Sequence, residues 1–122
     1  MRVIVLSIAI VAAACGGSDS GPTIPKHTNQ TVDVFTIQES FVQPSVTIST
    51  GDTIRWNFQK SSTDNLGHNV RFFPRITGSP ADIGTQGNPL TSGTQSRVFS
   101  TKGDFNYVCD LHGGMTGDVV VQ

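Results

Sequence analysis

Tyr107-Val108-Cys109-Asp110-Leu111-His112-Gly113-Gly114-Met115 is the stretch on which the reading of this chain turns. It leaves a strand-like run (Phe105 to Cys109) and precedes a final apolar one, Val119-Val120-Val121. A thiol, an imidazole and a thioether stand at positions 109, 112 and 115, each step three residues long, in a loop rich in glycine. Such a loop can wrap three side chains around one point, because Gly113, Gly114 and Gly117 allow sharp turns and positive φ. A second imidazole, His68, lies far upstream in the strand-like segment His68-Asn69-Val70.

Outward from this loop the chain reads as short strands separated by turns. Thr53-Ile54-Arg55-Trp56-Asn57-Phe58 alternates cleanly and puts Ile54, Trp56 and Phe58 on one face, where Trp56 and Phe58 are expected in the core. Val32 to Ile37, Phe41-Val42, Val46 to Ile48, Asn69 to Phe73 and Arg97 to Ser100 add further strands. Turns fall at Gly51-Asp52, Lys102-Gly103-Asp104 and Gly117-Asp118. Residues 74–95, with Gly78, Gly84, Gly87 and Gly93 among Pro74, Pro80 and Pro89, read as a long surface loop with at most one helical turn. No window sustains a helical period. The predicted fold class is all-β, an antiparallel Greek-key sandwich of about seven to eight strands, occupying residues 31–122.

The start of the chain has a different character. Met1-Arg2, the apolar run Val3 to Val11 and the small residues Ala12-Ala13-Ala14 read as a signal peptide over residues 1–14. Cys15 follows directly, then Gly16-Gly17-Ser18-Asp19-Ser20, an arrangement that resembles a bacterial lipoprotein signal with Cys15 as the lipidated residue. Ala12 stands where such signals usually carry leucine, and ordinary cleavage near Ala14 is the other processing route. Residues 15–30 have little to bury and read as a flexible tether, in which His27 is solvated. The chain is thus expected outside the cytoplasm, lipid-anchored to a bacterial membrane and facing the periplasm or exterior, or soluble in the periplasm. The net charge is −1 and no basic cluster exists, which excludes nucleic acid as a natural partner.

With Cys15 assigned to processing, Cys109 is a lone thiol in an exported domain, and metal ligation accounts for it. Thiolate is a soft ligand, and imidazole suits copper and zinc. A closed zinc site takes four Cys/His ligands, iron–sulfur needs more cysteines, and covalent haem needs a Cys-x-x-Cys-His that is absent. The set that remains is His68, Cys109 and His112 around a copper ion with Met115 as a weak axial ligand. Taken singly, Cys109 reads as a small buried hydrophobe, His68 as a hydrogen-bonded histidine and Met115 as core filler. At this spacing the four read together as ligands. Asp110 is expected to face solvent.

Asn69 beside His68, and Tyr107-Val108-Cys109-x-x-His112-x-x-Met115-x-Gly117, resemble the cupredoxins: plastocyanin, amicyanin, pseudoazurin and azurin. Phe41-x-x-Pro44-x-Val46-x-Ile48-x-x-Gly51-Asp52-Thr53-Ile54-x-Trp56 resembles the early strands of that family. The two-residue gap between His112 and Met115 is similar to amicyanin, although Leu111 and Gly113 flank the histidine where amicyanin-like loops place proline. The resemblance spans residues 32 to 122. It implies one type 1 (blue) copper ion held equatorially by His68, Cys109 and His112 and axially by Met115. It gives Asn69 a supporting role, with hydrogen bonds near the Cys109 sulfur that hold the loop.

The implied function is single-electron transfer between redox proteins rather than enzymatic catalysis. The partners would dock transiently on an apolar patch around His112 formed by Leu66, Gly67, Leu111, Gly113 and Gly114, with the carrier a monomer. The alternative is a periplasmic copper-binding and delivery protein that uses the same ligands. A catalytic Cys109–His112 pair gives Met115 no role, and a multicopper oxidase or nitrite-reducing enzyme needs more than the three histidines present.

Overall fold

The computed structural model describes residues 29–122, which form eight strands in two sheets and, among the described residues, no helix. One sheet carries β2 (Ser40–Val42), β1 (Thr31–Ile37), β4 (Thr53–Gln59) and β6 (Ser92–Val98) in that spatial order. The other carries β3 (Ser45–Ile48), β8 (Thr116–Val121), β7 (Gly103–Val108) and β5 (Arg71–Phe72). The signal segment, Cys15 and His27 lie outside the described residues.

The all-β sandwich of eight strands agrees with the sequence reading, while both sheets are mixed rather than antiparallel throughout. β1 runs parallel to β4, with Val34 opposite Trp56, and β3 runs parallel to β8, with Val46 opposite Val119. Alternation of apolar residues reports which face is buried and is silent on strand direction. Direction is set here by two crossings between the sheets, one at Gln43-Pro44 and one over Ser49–Asp52, which leave β4 heading the same way as β1. The second crossing is tied by Asp52, a buried carboxylate that accepts the N–H groups of Ser49 and Gln30, each at 2.9 Å.

The core follows the period of two. Ile54, Trp56 and Phe58 of β4 are buried, as are Phe105 and Tyr107 of β7 and Val119 and Val121 of β8. Aromatic rings join the two sheets: Trp56 of β4 meets Tyr107 of β7 edge-on, with centroids 5.6 Å apart and planes at 87°. Phe41 also meets Tyr107 edge-on, with centroids 4.9 Å apart. Contacts of this kind contribute about 1 kcal/mol each beyond the area they bury.

Two stretches differ from the sequence reading. β6 begins at Ser92, well before Arg97, and all its residues are exposed but for the half-buried Arg97. It is a strand because its backbone pairs with β4 from Thr53↔Val98 to Gln59↔Ser92. Polar side chains facing solvent hid that pairing from a hydropathy reading. The segment 74–95 contains no helical turn, and it folds back on the domain: Val70 bridges Ile83, His68 bridges Leu90, and Ile83 is buried.

Gly117 stands opposite Tyr107 in the β7–β8 register. A Cβ at this position would run into the Tyr107 ring and come within 2.7 Å of the Pro44 carbonyl oxygen. Gly117→Ala is therefore expected to destabilise the domain by about 2 kcal/mol through overpacking. The measurement is urea unfolding, in which the midpoint falls at constant slope. Gly113→Ala, where a Cβ meets nothing within 4 Å, should leave the midpoint in place.

Candidate metal centre

Three separate constraints bring the donor atoms together at one end of the sandwich. His68 lies between strands and is fixed by its backbone, which gives and takes a hydrogen bond with Leu90 at 2.9 and 2.8 Å. The period of two then sends His68, Val70 and Phe72 to the buried side. Cys109 is the first residue beyond β7. Its N–H donates to the Met115 carbonyl at 2.9 Å, and the Met115 N–H donates to the His112 carbonyl at 3.1 Å, so the ligand loop is closed on itself. Gly114 makes the turn at φ +84°, a conformation strained for any residue with a Cβ.

The Cys109 sulfur lies 3.5 Å from Nδ1 of His112 and 3.9 Å from Nδ1 of His68. One ligand atom from each of the three residues falls within 4.8 Å of the others. Metal–thiolate and metal–imidazole bonds of about 2.3 and 2.0 Å imply sulfur–nitrogen separations of about 3.5–3.7 Å around a shared ion; the His112 distance falls in that range and the His68 distance lies slightly beyond it. All three residues are buried. Burial, and secondarily the neighbouring His112, push the pKa of His68 down, which keeps its imidazole neutral with a lone pair to give. His68 Nε2 is buried against the Gln59 carbonyl without a hydrogen bond of good geometry. Met115 is 2% exposed, on the same loop and tied through its backbone to Cys109 and His112.

Around the donors lies a polar clasp. The Asn69 side chain accepts the Asp110 N–H at 2.8 Å and donates to the Asp110 carboxylate at 2.8 Å. Arg71, on β5, holds the same carboxylate through Nε at 2.8 Å and Nη2 at 2.6 Å. The residues flanking His68 are thereby locked to the residue that follows Cys109. The Asn69 side chain bonds to this loop through Asp110. The expectation that Asp110 faces solvent is corrected, because its side chain is 21% exposed and ion-paired.

The sequence reading missed Arg71 and Asp64. Arg71 carried a usable signal, since it lies two residues from Asn69 and so on the same side of an extended chain. Asp64, whose carboxylate meets His112 Nε2 at 3.0 Å, lies in a loop where no spacing rule applies. Of the predicted patch, Leu66, Gly113 and Gly114 are exposed, Leu111 is half-buried, and Gly67 is buried. His112 itself is 5% exposed.

Comparison with known proteins agrees with this geometry. Residues 30–122 match the family model of copper binding proteins of the plastocyanin/azurin family. Amicyanin-alpha of Methylorubrum extorquens is 30% identical over 115 residues, covering 93% of this chain and 88% of that protein. A reduced amicyanin with a proline-to-phenylalanine substitution superposes with a TM-score of 0.58 at 26% identity, over 75% of this chain and 82% of that one. A copper-containing nitrite reductase from Thermus scotoductus shares the fold, with a TM-score of 0.58 at 21% identity over 75% of this chain and 22% of its own.

Hydrogen bonds from the Arg71 guanidinium, and then from Asn69, hold the Asp110 carboxyl below its ordinary value of 3.8. A carboxyl whose pKa is depressed by folding stabilises the protein above the unfolded value and loses that contribution as pH falls through the folded one. Asp110→Asn should therefore cost about 1 kcal/mol at neutral pH. The gap from the parent should narrow progressively below pH 3.8, as read by thermal unfolding of the metal-free protein.

Proposed function

This chain belongs to the plastocyanin/azurin family of copper-binding proteins, and on that premise we propose that His68, Cys109 and His112 hold its type 1 copper ion equatorially, with Met115 as the weak axial ligand. The protein is a type 1 copper electron-transfer protein with one copper ion. The single observation that carries the ligand assignment is the convergence of the three buried donors, drawn from positions 68, 109 and 112, to within 4.8 Å.

Copper bound there supplies a one-electron couple, and the chain's own residues make that couple usable. The Cys109 thiolate and the two imidazoles suit copper in either oxidation state. The Asn69–Asp110 clasp and the Cys109–Met115 backbone bond hold the loop in one arrangement. A ligand frame that moves little when charge changes lets electrons pass quickly. Burial of the three donors would keep water from a copper ion held there, which favours a carrier over an enzyme.

Redox proteins are the partners that suit this site. We place the docking patch around His112, on exposed Leu66, Gly113 and Gly114 with half-buried Leu111, an area small enough for brief encounters. The carrier acts as a monomer, exported by residues 1–14. Cys15 carries a membrane lipid, and residues 15–30 form a tether that keeps the domain near membrane partners at high effective concentration. Amicyanin-like cupredoxins are typically periplasmic, which agrees with export.

Two measurements test these assignments. Residues 21–122 loaded with Cu(II) should show an intense blue thiolate-to-copper band that a reductant bleaches reversibly and that Cys109→Ser abolishes; a pale protein with ordinary Cu(II) features overturns the ligand assignment. In a bacterial host, the full chain should fractionate with membranes and carry acyl chains by mass spectrometry. Cys15→Ala should move it to the soluble fraction, and an unmodified parent overturns the anchor.

A further inference from the structure

The two imidazoles of the site are treated differently on their outer sides. His68 Nε2 ends in the protein interior without a hydrogen bond of good geometry. His112 Nε2 meets the Asp64 carboxylate at 3.0 Å, with the His112 side chain 2% exposed and that of Asp64 33% exposed. Asp64 is thus a partly exposed carboxylate set against the outer nitrogen of a nearly buried ring.

That carboxylate is held in place. Its Oδ1 accepts the Leu66 N–H at 2.9 Å, leaving Oδ2 for His112. The hydroxyl of buried Ser61 also bonds Asp64. The loop closes on itself behind it, with Ser61 N–H donating to the Leu66 carbonyl at 2.9 Å and Asn65 N–H to the Ser61 carbonyl at 3.1 Å. Asn65 adopts φ 65°, the left-handed conformation that the turn between Asp64 and Leu66 requires. The loop thus aims a fixed anion at one nitrogen of one ligand.

We propose that Asp64 is a positioning residue for the metal centre, which accepts a hydrogen bond from His112 Nε2 and so fixes the tautomer that leaves Nδ1 free to bind copper. This rests on the copper assignment above. The carboxylate draws the Nε2 proton toward itself and makes Nδ1 a stronger donor. A stronger donor beside a fixed negative charge favours Cu(II) over Cu(I). Asp64 therefore lowers the reduction potential.

The test has one readout without metal and one with it. In the metal-free protein, 15N-resolved NMR of the His112 ring should show the proton on Nε2, and Asp64→Ala should mix the tautomers. In the copper-loaded protein, Asp64→Asn keeps an acceptor for Leu66 but removes the charge. It should raise the ratio of Cu(I) to Cu(II) affinity about tenfold, a rise of about 59 mV for a one-electron couple. Asp64→Glu should recover most of the difference, whereas Asp33→Asn, at a half-buried carboxylate paired with Arg55 on another strand, should leave the potential unchanged. An unchanged potential in Asp64→Asn, an equal shift in Asp33→Asn, or a His112 ring protonated on Nδ1 in the parent would each overturn the proposal. Failure of the parent to form a blue site instead defeats the copper assignment, and the tautomer measurement still decides the Asp64–His112 contact.

Discussion

A sulfur and a nitrogen 41 residues apart in sequence are held 3.9 Å apart in space, and much of this fold is explained by that demand. Cys109 and His112 can find each other within one loop, but His68 can reach them only if the sheet carrying β5 and β7 is assembled. β5 is only Arg71–Phe72, yet its pairing with β7 (Phe72 opposite Tyr107) sets the height at which the His68 segment meets the loop. The clasp of Asn69, Arg71 and Asp110 then fixes the last few ångströms. Local loop geometry and global sheet register must both be right before the donors can share an ion.

The parts legible in the sequence were those where a side chain carries its own meaning. The candidate donors were readable because a thiol, two imidazoles and a thioether seldom occur at such spacing without cause. The inward faces of β4 and β7 were readable because apolar residues alternate there. Strand direction was not readable, since a period of two is the same from either end. The first part of β6, Ser92 to Ser96, was overlooked for a related reason. Its exposed side chains pack against no core, and backbone pairing has no residue signature of its own.

The loop from Ser61 to Leu66 shows a third kind of silence. Serine, threonine, aspartate and asparagine in a row announce a turn, and turns are commonplace. What this one does depends on where its Oδ2 atom points, which follows from the positive φ at Asn65 and from the placement of His112 by a different part of the chain. The two imidazoles look equivalent as letters in a sequence. Their outer nitrogens meet a backbone carbonyl in one case and a carboxylate in the other.

The parallel pairing of β3 with β8 has a consequence for the order in which the chain can fold. β8 lies between β3 and β7, so the centre of one sheet is made from a strand that follows all the other described strands in the chain. A chain emerging N-terminus first has β3 and β7 present with a gap the width of one strand between them. Until Thr116–Val121 arrives, neither strand has that partner and the ligand loop has no far anchor. The β3-β8-β7-β5 sheet is therefore completed only when β8 is in place, whereas the β2-β1-β4-β6 sheet needs nothing beyond Val98.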